Sequence, residues 1–85
     1  MSELDAEFQQ ASEDVKQLTK DPGNDAKLKL YGLYKQGTEG DVSGKRPGRL
    51  DMVGRAKYDA WEKEKGQSLN DAKRKYVEFV ASLKG

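Results

Sequence analysis

The sequence predicts an all-α protein, a small four-helix bundle that forms one domain over residues 1–85. Apolar side chains recur at spacings of three and four in four separate segments, which is the period of an amphipathic helix. Turn-forming residues separate those segments. Strand-like alternation is weak throughout the chain. The predicted helices cover, in chain order, residues 3–18, 24–38, 51–65 and 68–84.

The first predicted helix has a single apolar stripe. The stripe consists of Leu4, Phe8, Ala11, Val15 and Leu18. Ser2 with Asp5 three residues later resembles a capping box, with Asp in place of Glu. The turn residues 21–24 then end the helix, and Asn24 is predicted to be the N-cap of the second helix.

The second predicted helix has two distinct faces. An ordinary core stripe is formed by Ala26, Leu30, Leu33, Tyr34 and Gly37. Leu28, Tyr31 and Lys35 share a neighbouring sector, because spacings of three, four and seven return to one face of a helix. A leucine, a phenol and an ammonium together suit a ligand that is partly apolar and partly anionic. Alternatively, Tyr31 adds to the core and Lys35 is merely solvated.

Residues 39–49 show no helical or strand period. Pro47 and Gly48 suit the central positions of a type II turn. An irregular connection of this length in so small a domain is often functional. Its basic residues are therefore either part of a site or a means of keeping the loop soluble: Lys45, Arg46 and Arg49.

In the third predicted helix, which Asp51 can cap, Lys57 lies between Val53 and Trp61, inside the apolar sector. Either the lysine stem is buried with its head in water, or its ammonium points into a cleft and meets an anion. Gly66 is a good C-cap.

The fourth predicted helix, preceded by Ser68 and Asp71 in a second capping-box pattern, has the clearest apolar stripe. That stripe consists of Leu69, Ala72, Tyr76, Phe79, Val80 and Leu83. The ring of Tyr76 can fill core, while its hydroxyl requires a partner when buried.

Composition narrows the chemistry. The chain has no His and no Cys, so the usual transition-metal sites and the commonest general base are missing. No glycine pattern for phosphate or dinucleotide binding appears. Residues 26–58 carry eight bases and three acids within a protein of net charge +1. This local excess favours a specific anion site over a nucleic-acid surface. No segment resembles a signal peptide or a membrane span, so a cytoplasmic location is expected.

Taken together, these residues resemble the acyl-CoA-binding protein family. The resemblance spans essentially the whole chain, with order and spacing kept from residue 31 to residue 76. The matching segments are Tyr31-Gly32-Leu33-Tyr34-Lys35-Gln36, Thr38, Gly40-Asp41, Arg46-Pro47-Gly48, Asp51, Gly54, Ala56-Lys57, Ala60-Trp61, Lys65-Gly66, Ser68, Asp71-Ala72 and Tyr76.

The resemblance implies an up-down-down-up bundle that binds medium- to long-chain fatty acyl-CoA one to one. It implies a monomeric intracellular carrier that performs no chemistry, uses no cofactor or metal, and delivers its ligand to acyl-CoA-using enzymes. Residues matching Tyr31, Lys35 and Lys57 hold the adenosine 3′-phosphate in that family, and the residue matching Tyr76 contacts the nucleotide. The implied ligand-binding residues are Lys16, Leu28, Tyr31, Gly32, Leu33, Tyr34, Lys35, Lys57 and Tyr76.

Three positions depart from the family pattern. Gly37 replaces the usual alanine, and Tyr58 replaces a frequent tryptophan. Val53 occupies a position that often carries a ligand-contacting lysine. The departures at Val53 and Gly37 motivate a second hypothesis, a protein-interaction module that has kept the fold and lost the ligand. A thioester-cleaving enzyme is a third hypothesis, against which the missing His and Cys argue.

Overall fold

The computed structural model describes residues 2–84 and shows four α-helices, with no strand in that range. The helices are α1 (Glu3–Val15), α2 (Asn24–Glu39), α3 (Met52–Glu62) and α4 (Leu69–Lys84). The all-α prediction is therefore confirmed. The helices α1 and α3 end three residues earlier than predicted, because their last turns tighten. At the end of α1, for example, the amides of Lys16 and Gln17 donate to carbonyls three residues back, at 3.1 and 2.9 Å.

Side-chain caps fix the starts of three helices, as the sequence predicts. In each case a Ser or Asp oxygen accepts a hydrogen bond from the amide three residues later, which satisfies one of the unpaired donors of the first turn. The bonds run to Ser2 from Asp5 (3.1 Å), to Asp51 from Gly54 (2.9 Å) and to Ser68 from Asp71 (3.0 Å).

Three local predictions are wrong. Gly66 is not the C-cap of α3, a position that Lys63 takes; Gly66 lies in the turn that follows, with φ of 97°. Asn24 is not the N-cap of α2 but its first helical residue, and Gly23 takes the cap position with φ of 92°. Gly48 is not among the glycines with positive φ, which the third residue of a type II turn requires. The turn lies two residues later instead, closed by a 3.0 Å hydrogen bond from the Asp51 amide to the Gly48 carbonyl.

The order of contacts along the helices gives the topology. Asp5 meets Lys73 at 2.7 Å and Asp14 meets Lys84 at 3.0 Å, so α1 and α4 run parallel. Contacts between α2 and α4 run in opposite order, with residue 34 beside residue 76 and residue 37 beside residue 73. Those between α2 and α3 run in the same order, from 31 beside 57 to 35 beside 61. This is the up-down-down-up arrangement.

The hydrophobic core lies between α1, α2 and α4. Its buried members all come from the predicted stripes: Phe8, Ala11, Leu30, Leu33, Tyr76 and Val80. By contrast, α3 buries only Ala60 among its own residues and packs against α2 alone. One helix thus lies outside the main core, and a groove along its contact with α2 stays open to solvent.

A polar network fixes the long connection between α2 and α3. Gln36 is fully buried, and its amide nitrogen donates to Asp41 at 2.8 Å and to the Gln67 carbonyl at 2.9 Å. Asp41 also accepts from the Gly66 amide at 2.9 Å. That bond, together with the one from Gln36, lowers the pKa of the Asp41 carboxyl. The start of the connection is thereby tied to the turn between α3 and α4.

Candidate functional site

The candidate site is built where α2 and α3 approach most closely. Gly32 faces the backbone of α3, and a Cβ placed on it would overlap the Ala60 carbonyl oxygen and lie 2.8 Å from the carbonyl carbon. Glycine is therefore required for this approach. Since Tyr31 immediately precedes Gly32, its side chain is held beside α3.

Two lysines and two aromatic rings meet across this contact. On α2, Tyr31 and Lys35 are one turn apart, as are Lys57 and Trp61 on α3. The Lys57 Nζ lies 5.6 Å from the centre of the Tyr31 ring, and the Lys35 Nζ lies 4.9 Å from the centre of the Trp61 ring. Each ammonium thus lies against the ring of the opposite helix. We call these four residues the cation–aromatic square.

The two lysines of the square differ in their surroundings. The Lys35 side chain is 24% exposed and forms an ion pair with Glu39, four residues later on α2. The hydrogen bond to Glu39 raises the pKa of the Lys35 ammonium, with smaller contributions from the nearby phenols of Tyr31 and Tyr34. By contrast, Lys57 is exposed, and no carboxylate of residues 2–84 forms a salt bridge with it. A phosphate would therefore find Lys57 available and Lys35 already engaged.

An apolar groove of about 430 Å³ runs from the square toward the starts of α2 and α3. Leu28 is half-buried on one wall, while Met52 and Val53 on the other are 78% and 67% exposed. The lining residues are Asn24, Lys27, Leu28, Met52, Val53, Ala56 and Lys57. Lys57 belongs to both the groove and the square. A ligand with an apolar tail and an anionic head would thus find both halves side by side.

An aromatic cluster lies behind the square, toward α1. The Tyr34 ring stacks on Phe8 at 5.4 Å between centres, and Tyr76 meets Phe8 edge-on at 5.0 Å. Tyr34 is 42% exposed, whereas Tyr76 is 4% exposed. Burial raises the pKa of the Tyr76 hydroxyl. Tyr34 therefore offers a ring face to a ligand, and Tyr76 acts mainly through packing.

Lys16 lies apart from the square, on the rim of a second cleft. It follows the last residue of α1, and its side chain is 73% exposed, 3.9 Å from Glu13. The cleft holds about 600 Å³ and is lined by α1 together with Tyr34, Thr38 and Lys73. The cleft thus places Lys16 on the same concave surface as Tyr34 of α2.

Five of the predicted residues lie at the surface of α2 and α3, whereas Lys16 lies apart and three others are buried: Gly32, Leu33 and Tyr76. Leu33 is fully buried in the core, because its direction from α2 points toward α4. Gly32 is buried against α3. Neither presents a side chain to a surface ligand. Their contribution is the placement of Tyr31, Tyr34 and Lys35 around them.

Sequence reasoning missed several residues that shape the site. Glu39, which pairs with Lys35, was detectable from its spacing of four residues. Two further residues fix the connection between α2 and α3 through partners that are distant in sequence. Asp41 accepts hydrogen bonds from Gln36 and the Gly66 amide, and the Trp61 Nε1 donates to the Gly40 carbonyl at 2.7 Å. Glu64 is 6% exposed and lies 3.5 Å from Lys29. A glutamate on a helix stripe gives no sign of such burial.

No set of three or more acidic side chains in residues 2–84 is arranged to hold a metal ion. Of the helices in this range, none has the length and apolar character needed to cross a membrane.

Comparison with known proteins relates the chain to one family. The family model described as "Acyl CoA binding protein" matches residues 5–80. The chain is 49% identical over 76 residues to the acyl-CoA-binding protein of Dictyostelium discoideum, and the match covers 89% of the chain and 90% of that relative. It is 47% identical over 77 residues to the acyl-CoA-binding protein homologue of Drosophila melanogaster, a match that covers 91% of the chain and 90% of that relative. The crystal structure of Oryza sativa acyl-CoA-binding protein 2 superimposes with a TM-score of 0.90 at 41% identity, covering 94% of the chain and 89% of the rice protein.

Proposed function

This chain belongs to the acyl-CoA-binding protein family, and from that premise we propose how its own residues hold the ligand. The family is non-catalytic, and the chain binds acyl-CoA as a carrier without a cofactor. The proposal concerns which side chains contact the ester. The cation–aromatic square carries it, because that arrangement places two ammonium groups and a phenol beside an apolar groove.

The 3′-phosphate is assigned to Tyr31, Lys35 and Lys57. A phosphate monoester carries nearly two charges and several acceptor oxygens, so charge-assisted bonds from two ammonium groups suit it. Lys57 supplies the first of these bonds, since it is exposed and forms no salt bridge with a carboxylate of residues 2–84. Lys35 supplies the second after it releases Glu39.

The nucleotide is assigned to the exposed Tyr34 ring, with Tyr76 supporting that ring from below. Stacking of a base on an aromatic ring contributes ~1–3 kcal/mol. Lys16 is assigned to the head group through the cleft that it lines together with Tyr34. Gly32 and Leu33 belong to the site as positioning residues.

The acyl chain is assigned to the groove, with Leu28 on one wall and Met52 and Val53 on the other. Each methylene removed from water contributes ~0.8 kcal/mol, so the groove favours medium- to long-chain esters. The family pattern that the sequence resembles often has a lysine at the position of Val53. Val53 gives up one phosphate contact and adds apolar lining in exchange.

Residues 1–85 are proposed to act as a single acyl-CoA-binding domain, as a cytoplasmic monomer that binds one ester and delivers it to acyl-CoA-using enzymes. The family match over residues 5–80 and the shared core of α1, α2 and α4 support the single domain.

Calorimetric titration with palmitoyl-CoA below its micelle concentration tests the function, with free CoA and palmitate as controls. We expect tight one-to-one binding of the ester and much weaker binding of either half, since head and tail are read together. No heat and no thermal shift with the ester would instead favour the interaction module. Release of free thiol during the incubation would point to an enzyme.

A further inference from the structure

We propose that Met52 is a redox-sensitive site, at which oxidation of the thioether to a sulfoxide by hydrogen peroxide weakens binding of the acyl chain in the groove. The inference rests on the proposed acyl-CoA site, because it assigns a form of regulation to the groove of that site. A bound acyl chain covers the sulfur, so the empty protein reacts faster than the loaded one.

Met52 carries the side chain that a peroxide oxidises most readily in the described part of the chain. The sequence has no cysteine and two methionines, of which Met52 alone lies in residues 2–84. Oxidation requires a sulfur that solvent can reach, and Met52 is 78% exposed. Within this range, a peroxide therefore reacts first at one sulfur atom.

The backbone around Met52 is fixed, and its side chain takes no part in the core. Met52 is the first residue of α3, and the Asp51 side chain before it accepts a hydrogen bond from the Gly54 amide at 2.9 Å. The Asp51 carbonyl accepts another from the Arg55 amide, also at 2.9 Å. The buried core cluster draws its residues from α1, α2 and α4. A chemical change at the Met52 sulfur is therefore expected to spare the fold and to act on the groove.

Met52 lines the apolar groove together with Leu28, Val53 and Ala56. These side chains supply the surface on which an acyl chain would lie, and a flexible thioether adapts to such a chain. Among the large apolar residues of the groove, Met52 is the most exposed. It therefore has the largest fraction of its surface left for a bound chain to cover.

The oxidation is a two-electron step in which hydrogen peroxide is the oxidant. A lone pair of the Met52 sulfur attacks one peroxide oxygen, and the O–O bond breaks as the S–O bond forms. The proton of the attacked oxygen passes to the departing hydroxide, which leaves as water. The sulfoxide side chain is polar, and an acyl chain laid over its oxygen would remove that oxygen from water without supplying a donor. The affinity for the ester should therefore fall.

Calorimetric titration of peroxide-treated protein tests the proposal, after the peroxide is removed and mass spectrometry has located the added oxygen. We expect oxidation of Met52 to weaken palmitoyl-CoA binding by about fivefold, because part of the acyl chain then lies against a polar group. Binding of acetyl-CoA, which has the same head group and almost no tail, should be unchanged. Reduction by methionine sulfoxide reductases specific for each epimer should restore the Kd of untreated protein.

Three variants locate the effect at residue 52. Met52→Leu keeps an apolar lining and retains Met1, so peroxide should not change its Kd. A double variant, Leu50→Met with Met52→Leu, moves the thioether to a position that is 102% exposed and absent from the groove lining. Oxidation of that variant should also leave Kd unchanged. Met52→Gln, with a polar side chain of similar length, should weaken palmitoyl-CoA binding without any peroxide.

Protection by the ligand gives an independent measurement. Saturating palmitoyl-CoA should slow oxidation of Met52 by about fivefold, since the acyl chain covers the sulfur. Saturating acetyl-CoA should leave the rate unchanged. Neither ester has a free thiol that would consume peroxide.

Four outcomes would overturn the redox-sensitive site. They are an unchanged palmitoyl-CoA Kd after full oxidation of Met52, an equal loss in peroxide-treated Met52→Leu, an equal loss of acetyl-CoA binding, and oxidation at one rate with and without palmitoyl-CoA. In each case the untreated parent still binds the ester, and the carrier function stands. Failure of the untreated parent to bind the ester would instead overturn the proposed function, and this inference with it.

Discussion

Lys35 and Glu39 form an ion pair on one turn of α2, with the Lys35 ammonium lying over the Trp61 ring. The pair occupies a cation that the proposed site needs for the 3′-phosphate. Glu39 therefore competes with the ligand within the same helix. A partly exposed ion pair between residues four apart on one helix contributes little to the stability of the fold, so its main effect falls on ligand affinity.

Glu39→Gln is expected to strengthen palmitoyl-CoA binding. The substitution removes the competing carboxylate, and a gain of ~1 kcal/mol, about fivefold in Kd, corresponds to releasing one surface ion pair. Calorimetry measures the change. Glu78→Gln, on the exposed side of α4, alters net charge equally and should leave Kd nearly unchanged. Weaker binding by Glu39→Gln would mean that the carboxylate orients Lys35 for the ligand.

Lys57→Ala is expected to weaken palmitoyl-CoA binding by ~1.5–3 kcal/mol, the range for a hydrogen bond to a charged group. The fold should be unaffected, since the side chain is exposed. Lys63→Ala is the matched control, because Lys63 is an exposed lysine just after α3 that lies outside the square and the apolar groove. If Lys57→Ala and the parent had the same Kd, the assignment of Lys57 to the phosphate would be wrong.

Gly32→Ala is expected to lower the free energy of unfolding by ~1–3 kcal/mol, the usual cost of overpacking. The added methyl group would meet the Ala60 carbonyl, and only separation of the two helices makes room for it. Urea unfolding followed by circular dichroism measures the change.

Gly37→Ala is the matched control for Gly32→Ala. Its methyl group would meet mainly the flexible Lys73 side chain, 3.1 Å from Cγ, and alanine gains up to ~1 kcal/mol of helix propensity. The net change should be within about 1 kcal/mol of zero. Equal destabilisation by both substitutions would contradict the requirement for glycine at position 32, where α2 lies against the Ala60 carbonyl of α3.

Acid should weaken the fold only below the ordinary aspartate range. Hydrogen bonds lower the pKa of five carboxyls from 3.8, chiefly those from Lys73 to Asp5, from Gln10 to Asp14, from the Gly23 amide to Asp21, from the Gly66 amide to Asp41 and from Arg46 to Asp59. A lowered folded-state pKa contributes stability above the unfolded value, which is lost as pH falls through the folded value. The midpoint of urea unfolding should therefore stay constant from neutral pH to about pH 5. It should decrease once the pH falls below 3.8, the ordinary aspartate value. A midpoint that rises on acidification would contradict this sign.

The helices were predicted from the sequence because the spacing of apolar residues is a local pattern. Tyr31 and Lys35 share a face on any helix, whatever the fold. The pairing of Lys57 with Tyr31 depends on the parallel arrangement of α2 and α3, which periodicity does not contain and only the family resemblance implied. The Asp41 network was missed for the same reason, since its partners are distant in sequence. The turn at residues 47 and 48 was misplaced because residue preference suggests a turn without fixing its register.

The single tryptophan of the chain lies within the site, with its indole bonded to Gly40 and one face beneath the Lys35 ammonium. A positive charge so near an indole shifts its emission. When a bound phosphate moves the Lys35 ammonium away from the Trp61 ring, the emission wavelength and intensity of Trp61 should change. The intrinsic fluorescence of Trp61 should thus report ligand exchange in real time, without an added label.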